Sequence, residues 1–148
     1  MVQAINAPAK VLLVDDEANV ISALRRSLRP VGYLTFSAPG ASAALGIMAR
    51  GDIDVLITDM HMPGMDGSEL LREVSRQWPG TVRILLTGYA DLKQTTDAIR
   101  LGHVDHFMTK PWESVELLAR LEKVMSERKN PASRLPRSSR AQTEPVRK

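Results

Sequence analysis

The residues of this sequence whose types suit phosphoryl chemistry each follow one of five short apolar runs. They are Asp15 and Asp16 after the first run, Asp59 after the third, Thr87 after the fourth and Lys110 after the fifth. A carboxylate can attack phosphorus, and phosphoryl transfer needs in-line positioning together with positive charge near the equatorial oxygens. Asp59 is therefore the candidate nucleophile and Lys110 the candidate positive charge, while Thr87 is a candidate hydroxyl donor to a phosphoryl oxygen.

The three aspartates also predict a bound cation. Paired aspartates after a strand often only cap the next helix. Here Asp59 and Lys110 stand at the corresponding place after two other strands, which favours a metal site. Clustered carboxylates repel one another and resist full ionisation unless a cation shares the site. The candidate side chains are all hard oxygen donors, there is no cysteine, and they are too few for a calcium cage. The expected cofactor is Mg²⁺, with Asp15, Asp16 and Asp59 around it.

Short runs rich in Val, Ile and Leu alternate with longer stretches of helical spacing, which predicts five strands and five helices. Strands are expected at residues 11–14, 33–36, 55–57, 82–86 and 107–108, and helices at residues 18–28, 41–50, 67–77, 92–101 and 114–128. This alternation is typical of a parallel sheet covered by helices on both faces. If the strand order is 2-1-3-4-5, the ends of strands 1, 3, 4 and 5 are neighbours, and the polar residues form one site.

Length, charge and composition limit the class of protein. At 148 residues, 43% of them hydrophobic, the chain can form one ordinary domain with tails. Residues 129–148 contain six Lys/Arg, one Glu and three prolines, which predicts a disordered basic tail or linker. Residues 1–9 are expected to be an N-terminal extension. The lack of cysteine, of a signal-like start and of a long apolar run predicts a cytoplasmic protein without membrane contact.

Four segments, VLLVDDE, VLITDMHMPGMDG, ILLTGYAD and FMTKPW, occur in an order and at spacings that resemble the receiver domains of bacterial two-component systems. The resemblance covers residues 10–128 and implies a flavodoxin-like, doubly wound α/β fold. It also implies that Asp59 accepts a phosphoryl group from a sensor histidine kinase or phosphotransfer protein. Such a domain is not an enzyme in the usual sense, because it catalyses only its own aspartyl phosphorylation and dephosphorylation.

The same resemblance assigns the metal ligands. Asp16 and Asp59 are expected to bind Mg²⁺ together with the backbone carbonyl of His61. Asp15 is expected to assist through a water molecule. The family also implies a cis peptide bond between Lys110 and Pro111, which differs from the base rate of about 5–6% for such bonds.

The switch residues follow from the resemblance as well. Lys110 and Thr87 are expected to contact the phosphoryl group, with Thr87 as its sensor. Phe107 occupies the family's switch position, which moves inward as the threonine rearranges, and it must switch by packing because it has no hydroxyl. His61 and Tyr89 occupy the variable positions that flank the site, and we expect them to influence the lifetime of the phosphoryl state.

The output of such a receiver is expected on the face formed by the fourth helix, the fifth strand and the fifth helix. An effector, which the sequence does not name, is expected to bind there, and a homodimer through this α4-β5-α5 face is compatible with the resemblance. The segment LTGYADLKQTTDAI resembles receivers that are joined to larger output modules. A receiver fragment of a larger regulator with a missing output domain therefore stays open.

Two other classes compete with this interpretation. A Mg²⁺-dependent phosphohydrolase of the haloacid-dehalogenase type also places a nucleophilic aspartate after a strand, but it needs a second acid at position 61, where this chain has His61. A DNA-binding regulator needs a helix-turn-helix domain, and residues 129–148 are too short and irregular to form one. We therefore expect no direct nucleic-acid recognition, and at most weak electrostatic contact through the tail.

Overall fold

The computed structural model describes residues 8–129, in which strands and helices alternate as predicted. The strands are β1 (Lys10–Val14), β2 (Leu34–Ala38), β3 (Val55–Asp59), β4 (Val82–Thr87) and β5 (His106–Thr109). The helices are α1 (Ala18–Leu28), α2 (Ala41–Arg50), α3 (Gly67–Gln77), α4 (Leu92–Arg100) and α5 (Ser114–Lys129). Two short 3-10 turns, Arg29–Val31 and Tyr89–Asp91, precede β2 and α4.

The five strands form one parallel sheet in the order β2-β1-β3-β4-β5. The connection from β1 to β2 runs in one direction across the sheet, and the later connections run in the other. Because such crossovers are right-handed, α1 covers one face while α2, α3 and α4 cover the opposite face. The predicted doubly wound, flavodoxin-like fold and its strand order are confirmed.

The central strands carry the core because both of their faces are covered. Every residue of β3 and β4 is buried, and so are residues 11–14 of β1, whereas β2 at the edge of the sheet is only partly buried. This matches the near-continuous Val, Ile and Leu runs that strands buried on both faces require. The packing of these strands holds the carboxyl ends of β1, β3 and β4 side by side.

An arginine is buried at the opposite, amino-terminal edge of the sheet. Arg83 is 4% exposed, and its Nε donates to the carbonyl of His103 at 2.9 Å. Its Nη1 donates to the carbonyl of Thr81 at 3.1 Å, while Nη2 lies 3.6 Å from Oδ1 of Asp105. The backbone amide of Arg83 donates to the other Asp105 oxygen at 2.8 Å. This buried charge is therefore paired and hydrogen-bonded, as burial of a guanidinium requires.

Several boundaries differ from those expected from the sequence. Strand β2 begins one residue later and ends two residues later, because Ser37 and Ala38 continue the ladder with β1. Strand β5 extends by one residue at each end, and neither 3-10 turn was predicted. Gly32, which ends the first of these turns, has a φ of 82°, a conformation that favours glycine.

Two of the predictions concern the ends of the chain. Helix α5 extends to Lys129, one residue into the predicted tail. The predictions of an N-terminal extension and a disordered tail otherwise concern residues 1–7 and 130–148, which lie outside the described residues. The contacts divide the chain after Pro111, and α5 belongs to the second of two compact units. Within residues 8–129, every helix is too short or too polar to cross a membrane.

Candidate functional site

The sheet brings the predicted polar residues together at the carboxyl ends of its central strands. Asp59 is the last residue of β3 and Thr87 is the last residue of β4. Lys110 directly follows β5, and its backbone amide donates to the carbonyl of Thr87 at 3.0 Å. Asp15 directly follows β1, so the strand order places it beside Asp59. The prediction that these ends meet at one site is confirmed by the register of the sheet.

Lys110 is the positive charge of the site. Its Nζ lies 2.8 Å from Oδ1 of Asp59 and 3.8 Å from Oδ2 of Asp15. Burial favours the neutral amine, but the hydrogen bond to Asp59 and the charges of both aspartates outweigh it and raise the pKa of Lys110 above its usual value. Lys110 is therefore held in its charged form next to the candidate nucleophile.

The Asp15 carboxylate is buried and only half satisfied. The residue is 2% exposed, and Oδ1 accepts a hydrogen bond from the backbone amide of Glu17 at 2.8 Å. Its Oδ2 is buried without a hydrogen-bond partner. Burial, with a further contribution from the charge of Asp59, raises the pKa of Asp15 from 3.8 to about 6. An oxygen in this situation needs a cation or a proton.

The three aspartates form a cluster that could hold a metal ion. One carboxylate oxygen each from Asp15, Asp16 and Asp59 lies within 4.8 Å of the other two. Asp15 and Asp59 are buried, while Asp16 is exposed to solvent. All three residues offer hard carboxylate oxygens, and Oδ2 of Asp15 has no hydrogen-bond partner, so the donor set fits a hard divalent cation.

Thr87 is completely buried at the end of β4, and its hydroxyl group has two hydrogen bonds. It donates to the carbonyl of Gly88 at 3.2 Å and accepts from the hydroxyl of Thr95 on α4 at 2.9 Å. Thr95 is 1% exposed. Sequence reasoning missed Thr95, because a threonine in a polar helix gives no sign of facing a functional residue. Its one signal is the spacing to Ala98, the other buried residue of α4.

Comparison with known proteins decides between the chemistries that this site allows. The family model of the response regulator receiver domain matches residues 11–122. The chain belongs to this receiver family. The match does not favour the haloacid-dehalogenase alternative, and position 61 of the receiver is the histidine that already argued against it.

Individual relatives agree with this assignment. The receiver is 35% identical over 104 residues to the hydrogenase transcriptional regulatory protein HoxA of Cupriavidus necator, covering 70% of this chain and 21% of that protein. It is 36% identical over 110 residues to the response regulator protein FleR of Pseudomonas aeruginosa, and this match covers 74% of this chain and 23% of that protein. The chain thus spans less than a quarter of the length of these curated relatives.

A solved structure supports the same fold. The signal receiver domain of an HD domain-containing protein from Pseudomonas fluorescens Pf-5 matches with a TM-score of 0.78 and 36% identity. The match covers 82% of this chain and 98% of that one. The described fold therefore matches nearly the whole of that solved receiver domain.

The structure also describes the surroundings of His61, Phe107 and the Lys110–Pro111 peptide bond. The side chain of His61 is 69% exposed, and its Nε2 lies 2.6 Å from Oδ1 of Asp91 in the turn before α4. Phe107 is half-buried and packs against the hydrophobic core. The Lys110–Pro111 peptide bond is cis, as the resemblance implies. The metal-binding role of the His61 carbonyl and the influence of Tyr89 stay predictions.

Gly67 is a second residue whose importance sequence reasoning missed. It begins α3, and its amide donates to the carbonyl of Met60 at 2.8 Å. A Cβ atom at this position would lie 2.1 Å from the backbone oxygen of Asp59, so only glycine allows α3 to start this close to Asp59. Asp66 and Glu69 form a capping box that fixes the same helix start.

Proposed function

We propose that this receiver is a phosphorylation-dependent signalling switch and that Asp59 is its phosphoryl acceptor. The observation that carries the proposal is the 2.8 Å ion pair of Asp59 with Lys110 inside a cluster of three carboxylates. The phosphoryl donor is the phosphohistidine of a sensor histidine kinase or of a phosphotransfer protein, in keeping with the family to which the chain belongs.

Mg²⁺ is the cation that we assign to the acidic cluster. Asp15, Asp16 and Asp59 would hold it together with the backbone carbonyl of His61. The lack of a hydrogen-bond partner for Oδ2 of Asp15 supports this assignment. When bound, the ion would offset the charge of the carboxylates and of the incoming phosphoryl oxygens. The exposed position of Asp16 leaves one side of the cluster open to water and to the phosphoryl donor.

The protein side chains orient the transfer itself. A carboxylate oxygen of Asp59 forms the new bond to phosphorus, while the bond from phosphorus to the donor's imidazole nitrogen breaks and that nitrogen keeps the electron pair. Lys110, held charged beside Asp59, stabilises the negative charge of the phosphoryl oxygens. Thr87 then turns its hydroxyl group to one of these oxygens. Water later hydrolyses the acyl phosphate, so the receiver acts only on its own aspartate.

Phosphorylation is proposed to bias an equilibrium between two conformations of the receiver. As Thr87 moves toward the phosphoryl group, Phe107, which already packs against the core, repacks behind it. The change reaches α4 and β5, where an effector binds. The matched region is less than a quarter of the length of the curated relatives, and both the effector and a homodimer belong to this proposal.

The test is phosphorylation of the 148-residue chain by a small acyl phosphate with Mg²⁺, followed by intact-mass measurement. Wild type should gain one phosphoryl group, and Asp59→Asn should gain none. Asp52→Asn, at an exposed aspartate just before β3, is the matched control and should react like wild type. A wild-type protein that stays unmodified while a known receiver reacts would refute the proposal.

A further inference from the structure

Helix α4 is attached to the sheet by few buried side chains. Only Thr95 and Ala98 of this helix are buried, whereas Leu92 and Ile99 are each 38% exposed. An apolar helix face normally supplies most of the attachment of a helix, and here that face contains a small alanine and a polar threonine. The interactions of the Thr95 hydroxyl group therefore matter more for the position of α4 than one hydrogen bond usually would.

Thr95 is hydrogen-bonded to Thr87, the residue that is proposed to sense phosphorylation. Its hydroxyl donates to the Thr87 hydroxyl at 2.9 Å, and the Thr87 hydroxyl donates to the carbonyl of Gly88 at 3.2 Å. Both threonines are buried. The result is a two-membered chain of hydroxyl groups that runs from α4 to the backbone at the end of β4.

Phosphorylation must disturb this pair of hydroxyl groups and therefore the hydrogen bond of Thr95. A hydroxyl group has one hydrogen to donate, so Thr87 must give up its bond to Gly88 when it donates to a phosphoryl oxygen on Asp59. As its oxygen moves, the Thr95 hydroxyl either loses its acceptor in a buried position or α4 moves with it. An unsatisfied buried donor is unfavourable, which favours movement of the helix.

We propose that Thr95 is the positioning residue that couples Thr87 to α4, an inference that rests on the proposed function of Asp59. In the unphosphorylated receiver, the Thr95 hydroxyl holds Thr87 in its resting orientation and opposes the switch. In the phosphorylated receiver, the same hydroxyl transmits the movement of Thr87 to the helix. A purely structural threonine would stabilise the fold without affecting either process.

Thr95→Val tests the coupling because valine has nearly the same shape but no hydroxyl group. Thr95→Ser restores the hydroxyl, and Thr95→Ala removes it by another route, in case valine disturbs the fold. Thr96→Val is the matched control, since Thr96 is the exposed neighbour on the same helix. Each full-length variant is phosphorylated with acetyl phosphate and Mg²⁺, and the gain and loss of the phosphoryl group are followed by intact mass.

We expect Thr95→Val and Thr95→Ala to gain the phosphoryl group about three- to tenfold faster than wild type, because a buried hydrogen bond that opposes the switch has been removed. Hydrogen exchange of the α4 amides gives the second readout. Phosphorylation should change this exchange in wild type and Thr96→Val, and the change should shrink in Thr95→Val and Thr95→Ala. Thr95→Ser should return both readouts toward wild type.

The inference is overturned if Thr95→Val and Thr95→Ala become phosphorylated at the wild-type rate and show the wild-type exchange difference in α4. It is equally overturned if Thr95→Ser leaves the phosphorylation rate and the α4 exchange difference at the values of Thr95→Val and Thr95→Ala. With either result, wild type still gains the phosphoryl group. Failure of the proposed function is a different result, since wild type then gains no phosphoryl group at all, and the inference fails with it.

Discussion

Replacement of Asp15 by asparagine should stabilise the metal-free receiver while it damages the metal site. The Asp15 carboxylate is buried, one of its oxygens lacks a hydrogen-bond partner, and the charges of Asp59 and Asp16 lie close by. Asparagine has nearly the same shape and can still accept from the Glu17 amide, but it carries no charge. The substitution therefore removes an unfavourable buried charge and leaves the packing intact.

The magnitude follows from the raised pKa of Asp15. The pKa rises from 3.8 to about 6 in the folded state. One pKa unit corresponds to about 1.4 kcal/mol, so the ionised carboxylate lowers the free energy of unfolding by about 3 kcal/mol near neutral pH. This pKa already includes the attraction of Asp15 to Lys110 at 3.8 Å, and the lower part of the range allows for imperfect hydrogen bonding of the new amide group. We therefore expect a net gain of about 1–3 kcal/mol, or roughly 4 °C in Tm for each kcal/mol.

The sign of the pH dependence distinguishes this explanation from a packing effect. Because the folded-state pKa is the higher one, the folded protein binds the proton more tightly than the unfolded chain. The stability that the proton provides is present below the unfolded value of 3.8 and is lost as the pH rises through about 6. The advantage of Asp15→Asn should therefore be largest above about pH 6 and should shrink as the pH falls toward 4.

Chemical denaturation in the presence of a chelator, repeated across this pH range, measures the effect. Asp16→Asn is the control, because Asp16 is exposed and its removal should change the free energy of unfolding by less than about 1 kcal/mol. Added Mg²⁺ should then stabilise wild type more than Asp15→Asn, since a ligand of the folded state raises stability. A variant that is less stable than wild type at neutral pH, or a difference that does not depend on pH, would refute this reasoning.

Two further substitutions test the framework that supports the site. Gly67→Ala should lower the free energy of unfolding by about 3 kcal/mol or more, because the new Cβ meets the Asp59 carbonyl at 2.1 Å. Gly46→Ala, at an exposed helical glycine with open space around it, should instead gain about 0.5–1 kcal/mol, and equal effects in urea denaturation would contradict the account. Arg83→Met should cost about 3–5 kcal/mol in the same assay, because it leaves the Asp105 carboxylate, whose side chain is only 6% exposed, without its guanidinium. A loss below about 1 kcal/mol would contradict this pairing.

Much of the site could be predicted from sequence because parallel sheets follow simple rules. Residues that follow consecutive buried strands come together at one edge, so Asp59, Thr87 and Lys110 could be grouped before any coordinates existed. The edge strand was predicted less well. Strand β2 is only partly buried, so its apolar signal is weak, and the backbone ladder rather than the side chains sets its last residue.

The residues that were missed act through contacts that leave no pattern in one sequence. Thr95 of α4 matters because its hydroxyl group donates to the hydroxyl group of Thr87 at the end of β4. Gly67 matters because a backbone oxygen lies where its side chain would be. Arg83 interrupts an apolar run, and its burial is explained only by the carbonyl groups around it. Each of these roles depends on a distance between two residues that are not neighbours in the sequence, and one sequence does not reveal such distances.

The central claim is that Asp59 itself carries the phosphoryl group, and chemical trapping tests it most directly. The receiver is phosphorylated with acetyl phosphate and Mg²⁺, treated with borohydride, which reduces an acyl phosphate to an alcohol, and digested for peptide mass mapping. We predict homoserine at position 59 only after phosphorylation, with Asp15, Asp16 and Asp52 unchanged. Homoserine at another aspartate, or an unreduced Asp59 in a protein that has gained the phosphoryl mass, would contradict the account.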